Sequence, residues 1–108
     1  MDEVIYEQRA AAAFRQLMDL FEDVDPDEAD LESTGDVITI GFAQASRLVI
    51  NTQRPARQIW LAGGKRAWHF SFDEPSGAWL DDKGRGHELF ATIRSLVHEA
   101  ADLTLPDA

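Results

Sequence analysis

The chain has 108 residues, a formal net charge of −10 and no cysteine. That length suits one hydrophobic core, and the missing thiols exclude thiolate zinc, iron–sulfur ligation by this chain, CxxC redox chemistry and cysteine nucleophiles. With 44% apolar and 28% charged residues the composition is that of a globular protein, and no apolar run approaches the ~18 residues of a membrane span. Asp2 and Glu3 stand where a secretory or transit peptide carries bases, so the expectation is a single cytoplasmic domain over residues 1–108.

Tyr6, Ala10, Ala13, Leu17, Phe21 and Val24 recur every three or four residues, which predicts a helix over about residues 3–24, with Asp2 as N-cap and Pro26 as the stop. Strands are then predicted at 30–34 and 37–42 around the Gly35-Asp36 turn, at 47–52, and at 58–62 after the interruption at Arg54-Pro55. Beyond Gly63-Gly64 the alternation of Trp68, Phe70 and Phe72 marks a strand at 67–73, and the turn Pro75-Ser76-Gly77 leads to a short one at 79–81. Helical spacing returns through Phe90, Ile93, Val97 and Ala100, predicting a second helix over 87–101, with Leu103 and Leu105 of the tail 103–108 across the core edge. Consecutive hairpins between two amphipathic helices make an α+β fold. The expected architecture is a two-layer α-β sandwich, with the N- and C-terminal helices on one face of a roughly six-stranded antiparallel sheet and the other face open to solvent.

The charge is uneven. Residues 1–36 hold 12 acids and two bases, and between Asp19 and Asp36 nine of eighteen residues are acidic with no base among them. Such a field repels nucleic acid and anionic membranes and attracts cations and basic protein surfaces. On a helix Asp19, Glu22 and Asp23 share a face at i, i+3 and i+4, where they repel one another and oppose the helix dipole. Charges set against local rules in this way point to a cation- or partner-binding role, with a merely solvated face as the plain alternative. All-oxygen donors suit divalent or ferric cations and bind them weakly.

The strand at 58–62 carries an oddity. With Ile59 and Leu61 turned to the helices, Gln58, Trp60 and Ala62 face outward, as do Asn51 and His69 on the neighbouring strands, so Trp60 is predicted to be exposed. Either the register is off by one or a loop covers the ring, or Trp60 is a binding anchor of the kind interface cores favour. His69 is read both as a satisfied surface histidine and as a participant in that binding.

Asn51, Gln53, the segment Gln58-Ile59-Trp60-Leu61-Ala62, His69-Phe70, and Trp79 ahead of the Gly84 turn together resemble the frataxin family, over essentially the whole chain and most closely its bacterial members. The resemblance implies weak, reversible binding of ferrous or ferric iron, with other divalent cations as competitors, by an acidic ridge. That ridge falls on Asp19, Glu22, Asp23, Asp25, Asp27, Glu28, Asp30 and Glu32. It also implies action in iron–sulfur cluster assembly, with a cysteine desulfurase and a scaffold protein as partners and a docking face at Asn51, Gln53, Gln58, Trp60 and His69. A monomer is expected, with iron-dependent oligomers as the alternative state. The rival reading is a metal-independent acidic interaction module built on the same residues.

Other chemistries find little support. Asp23-Val24-Asp25-Pro26-Asp27 hints at an EF-hand, but the sixth and twelfth loop positions hold Glu28 and Thr34 in place of Gly and Glu. Gly84-Arg85-Gly86 lacks the third glycine of a dinucleotide fingerprint, Gly64-Lys65 is no P-loop, there is no GxSxG, and the histidines lack metal-ligand spacing. No catalytic residue is assigned, and a ferroxidase is disfavoured because there is no Glu-x-x-His di-iron pair.

Overall fold

The computed structural model describes residues 1–106. Helix α1 spans Glu3–Leu20 and α2 spans Leu89–Ala101; between them run β1 (Asp30–Thr34), β2 (Val37–Gly41), β3 (Leu48–Gln53), β4 (Gln58–Gly63), β5 (Arg66–Asp73) and β6 (Ala78–Asp81). The six strands form one antiparallel meander in chain order. The inward residues Ile38, Ile40, Ile50, Ile59, Leu61 and Phe70 are at most 1% exposed and join Tyr6, Leu17, Ile93 and Val97 of the helices in one core. This is the expected two-layer α+β sandwich, and the alternation fixes which face is open.

Several ends differ from expectation, each for a local reason. The cap at Asp2 is present, its carboxylate accepting from the Val4 amide at 2.7 Å. However, α1 stops at Leu20, not at residue 24. The Phe21, Glu22 and Val24 amides each bond a carbonyl three residues back, at 3.1–3.2 Å, so the chain tightens out of α geometry before it reaches Pro26. Those turns keep Phe21 buried and swing the chain round to bury Ala29 ahead of β1. Helix α2 begins at Leu89, because the Glu88 carboxylate caps the Phe90 and Ala91 amides at 2.9 and 3.0 Å. His87 and Glu88 instead run beside β6, through the Leu80–Glu88 bridge and the Asp81 amide bonded to the His87 carbonyl. In the tail Leu105 is buried and Leu103 packs partly against the core, as the sequence suggests; Asp107 and Ala108 lie outside the described residues.

Tyr6 fastens the first helix to the sheet. Its hydroxyl donates to the Gln58 carbonyl at 2.7 Å, its ring packs edge-on against Trp79, and burial pushes its pKa up.

Candidate functional site

On the open face, register brings together residues far apart in sequence. Asn51 lies opposite Trp60, Trp60 opposite His69, and the row beside it runs Gln53, Gln58, Ser71. All five residues of the expected docking face therefore share one surface, and Trp60 has the outward orientation that alternation predicts. It is half-buried, not exposed, because the His69 ring stacks on the indole with centroids 4.2 Å apart and planes 15° from parallel. The indole N–H donates to Gln58 Oε1 at 2.9 Å, while Gln58 Nε2 donates to Ser71 Oγ at 3.1 Å and to Asp82 Oδ2 at 2.9 Å. Asp82 also lies 3.8 Å from His69 Nδ1, and its amide bonds the His69 carbonyl.

Gln58 is the hinge of this array, with its amide used on both sides. It holds a large amphipathic ring in one orientation on the open face, so little side-chain freedom would remain to be lost on contact. Sequence reasoning missed Ser71 and Asp82. Strand alternation from His69 points to Ser71, whereas Asp82 sits in a turn where no periodicity signals its direction.

The acids divide into two sets. Asp19 lies in the last turn of α1, Glu22 and Asp23 occupy the tight turns after it, and Asp25 starts the next turn, where its carboxylate accepts from the Asp27 amide at 2.9 Å. Because the helix stops at Leu20, Asp19, Glu22 and Asp23 do not form the continuous helical face that their spacing predicts. Asp19, Asp23, Asp25 and Glu28 instead line a groove of about 350 Å³ that the tail residues Leu103, Thr104 and Pro106 close from the other side. Glu22 and Asp27 do not line it. Asp30 and Glu32 belong to β1, opposite Gly41 and Thr39 on the open sheet face, so they extend that face rather than the groove.

Among the described residues none of these eight acids has a basic side chain within salt-bridge distance. The ion pairs fall elsewhere, at Arg9–Glu74, Arg54 with Glu7 and Asp36, Arg66–Glu99 and Arg85–Asp81. Nor do three His, Asp or Glu side chains among the described residues converge as a ready metal cage. The acidic surface is a field of separate carboxylates that can hold a hydrated cation or meet a basic surface.

A profile described as the Frataxin-like domain matches residues 1–103. The chain belongs to the frataxin family. It is 37% identical over 98 residues to the iron-sulfur cluster assembly protein CyaY of Delftia acidovorans, a match covering 91% of this chain and 87% of that protein. The frataxin of Psychromonas ingrahamii superposes with a TM-score of 0.87 over 97% of this chain and 96% of its own at 24% identity, a likeness of fold. Trimeric frataxin from Saccharomyces cerevisiae, in a structure complexed with ferrous iron, gives a TM-score of 0.75 at 27% identity, covering 88% of this chain and 87% of that one. The Delftia relative carries the name of an assembly function. No helix among the described residues is long and apolar enough to cross a membrane.

Proposed function

We propose that this frataxin-family chain, one domain over residues 1–108 acting in the cytoplasm, binds iron and serves iron–sulfur cluster assembly by docking on a cysteine desulfurase and its scaffold protein. It serves as iron donor, as regulator of that complex, or as both. The observation that carries the reading is the pairing of two surfaces on one fold. Eight acids lack any basic neighbour among the described residues, and beside them lies an open sheet face organised around a held tryptophan. The name of the Delftia relative and the ferrous complex of the yeast protein support the same direction.

Iron is cargo in this reading. Asp19, Glu22, Asp23, Asp25, Asp27, Glu28, Asp30 and Glu32 are exposed, so the ion keeps most of its water and binds weakly and reversibly, with other divalent ions competing. The same charge draws a basic partner in, and Asn51, Gln53, Gln58, Trp60 and His69 supply the short-range contacts. The chain works as a monomer, with iron-dependent oligomers as an alternative state. No catalytic group is assigned.

Two measurements test it. A pull-down from the native cytoplasm, with and without added iron, is expected to recover a cysteine desulfurase; failure under both conditions removes the assembly role. Calorimetric titration with ferrous iron is expected to show weak binding without one dominant site, further weakened in Asp19→Asn/Glu22→Gln/Asp23→Asn. A tight single-site isotherm, or one unaltered by those substitutions, contradicts the ridge.

A further inference from the structure

The sheet has two edges and treats them differently. The outer edge of β6 is occupied, since His87 and Glu88 run along it through the Leu80–Glu88 bridge and the bond from the Asp81 amide to the His87 carbonyl at 2.9 Å. Strand β1 pairs only with β2, so its outer edge is free among the described residues. Gly35, at φ 58, and Asp36 close a two-residue hairpin between Thr34 and Val37. In such a hairpin the closing pair exchanges both ladder bonds and the pattern alternates from there. Asp30, Glu32 and Thr34 therefore bond to β2, and the N–H and C=O groups of Leu31 and Ser33 aim outward.

The side chains around that edge have two characters. On the open face Asp30 and Glu32 present negative charge. On the helix side, Ser33 borders a groove of about 410 Å³ between β1 and α1, lined by the apolar Ala11, Phe14 and Met18 together with the charged Glu7, Arg15, Asp36 and Arg54. Thr52 also lines it, with its Oγ1 buried and unpartnered. A strand added beside β1 would alternate its side chains between these two environments.

We infer that β1 accepts an extended basic segment of a partner protein as a seventh strand, its Lys or Arg side chains opposite Asp30 and Glu32 and its intervening apolar side chains in the α1–β1 groove. Charge selects this occupant over a second copy of the chain. Antiparallel pairing of two β1 strands sets acid against acid across the new ladder, which is destabilising. The inference gives a mode to the docking proposed above and rests on that reading only for the partner's identity.

The probe is a fluorescent peptide of about eight residues, alternating Lys and Val, the length of an ordinary strand. Two controls keep its charge: a block peptide of the same composition, and the alternating peptide with backbone N-methyl groups on every second residue. Fluorescence anisotropy at low salt is expected to show the alternating peptide binding about tenfold or more tightly than either control, because ladder bonds and register supply affinity that charge alone does not. In the complex the Leu31 and Ser33 amides become protected from hydrogen exchange. Ser33→Pro, which removes an N–H the fold does not use and which an edge strand tolerates, is expected to lose the same factor with Tm retained. Should that variant fail to fold, the N-methylated peptide against the unaltered protein decides the question by itself.

Equal binding of the three peptides, or binding with no change in exchange at Leu31 and Ser33, overturns strand addition in favour of electrostatics alone. A homodimer in sedimentation that Ser33→Pro dissolves overturns it in favour of a second copy. Desulfurase recovery with an unprotected β1 edge removes strand addition and keeps the assembly role. Edge protection by the peptide without desulfurase recovery does the reverse.

Discussion

Two acidic regions of this chain are treated in opposite ways. Between Asp19 and Glu32 eight carboxylates face water without a base beside them among the described residues, whereas at the junction of β6 and α2 the carboxylate of Asp81 is fully buried. Arg85 donates to it, the Lys83 amide donates at 3.0 Å, and His87 Nδ1 lies 3.8 Å away. His87 in turn accepts from the Trp68 indole at 3.1 Å. A carboxylate given partners inside the fold becomes architecture, holding the β6–α2 turn closed; carboxylates given none remain available to whatever arrives from solution.

Removing the buried acid breaks the comparison most severely. Asp81→Ala leaves the Arg85 guanidinium and the Lys83 amide without their acceptor, so it is expected to lower Tm more than any substitution among the eight exposed acids. Thermal melts of the set check the ranking.

The same contrast has a pH signature. The hydrogen bond from Arg85, aided by the Lys83 amide and His87 and opposed by burial, holds Asp81 below the usual carboxylate range. A folded pKa below the unfolded one means that the native state binds fewer protons in between. The stabilisation is therefore complete above the unfolded value and is lost as pH falls through the folded one. The Tm difference between the natural chain and Asp81→Asn is expected to stay constant above about pH 5 and to shrink in more acid solution. A difference independent of pH down to acid unfolding would mean that the ionised carboxylate is not what Arg85 needs.

Next in size is the loss of the proposed docking anchor. Trp60→Ala is expected to weaken partner binding by about 2 kcal/mol or more, as truncated interface aromatics do, while leaving a cooperative fold because the ring lies outside the core. Circular dichroism melts and a binding isotherm separate the two effects; a variant that unfolds would place the indole in the core instead. Reversing the charge of Glu22 and Asp23 to lysine is expected to slow association by about tenfold at low salt with little change in dissociation, since exposed charges act mainly on the encounter. Stopped-flow rates at two salt concentrations read this directly.

The smallest effect sharpens the comparison within the acidic region itself. Of Asp19, Glu22 and Asp23 only Asp19 lies in the last turn of α1, where no base offsets it. Asp19→Asn is expected to stabilise the chain by about 0.3–1 kcal/mol at low ionic strength through relief at the helix C-terminus. Glu22→Gln and Asp23→Asn, lying beyond the helix, are expected to gain less. Equal gains from all three, seen in low-salt melts, would mean that mutual repulsion outweighs the dipole.

Much of this molecule is legible in one dimension because its strands are half-buried. With one face dry and one wet, alternation alone sets the register of Ile59 and Leu61 inward and Gln58 and Trp60 outward, and a slip of one residue would expose the whole apolar set. The helix stripes are legible for the same reason at a different period. The end of α1 was not, because Phe21 and Val24 keep helical spacing whether the backbone continues as α-helix or tightens into three-residue turns; the burial of Ala29 decides between them.

Local pattern thus settles the class and order of the elements, their inward and outward faces, and the concentration of acid in the first third of the chain. Which side chains meet across strands is settled only on folding. Trp60, His69, Gln58 and Asp82 come from three stretches of chain, and nothing in their spacing says that one indole will be stacked by a histidine and held by an amide that a turn aspartate also binds. Among the described residues, folding also separates Asp30 and Glu32 from the acids that follow α1, leaves β1 unpaired on its outer side while β6 is covered, and supplies a base to Asp81 but none to the eight acids between Asp19 and Glu32. Contacts of this kind are set by strand register and by the packing of helices on the sheet, and those are properties of the whole chain closing on one core.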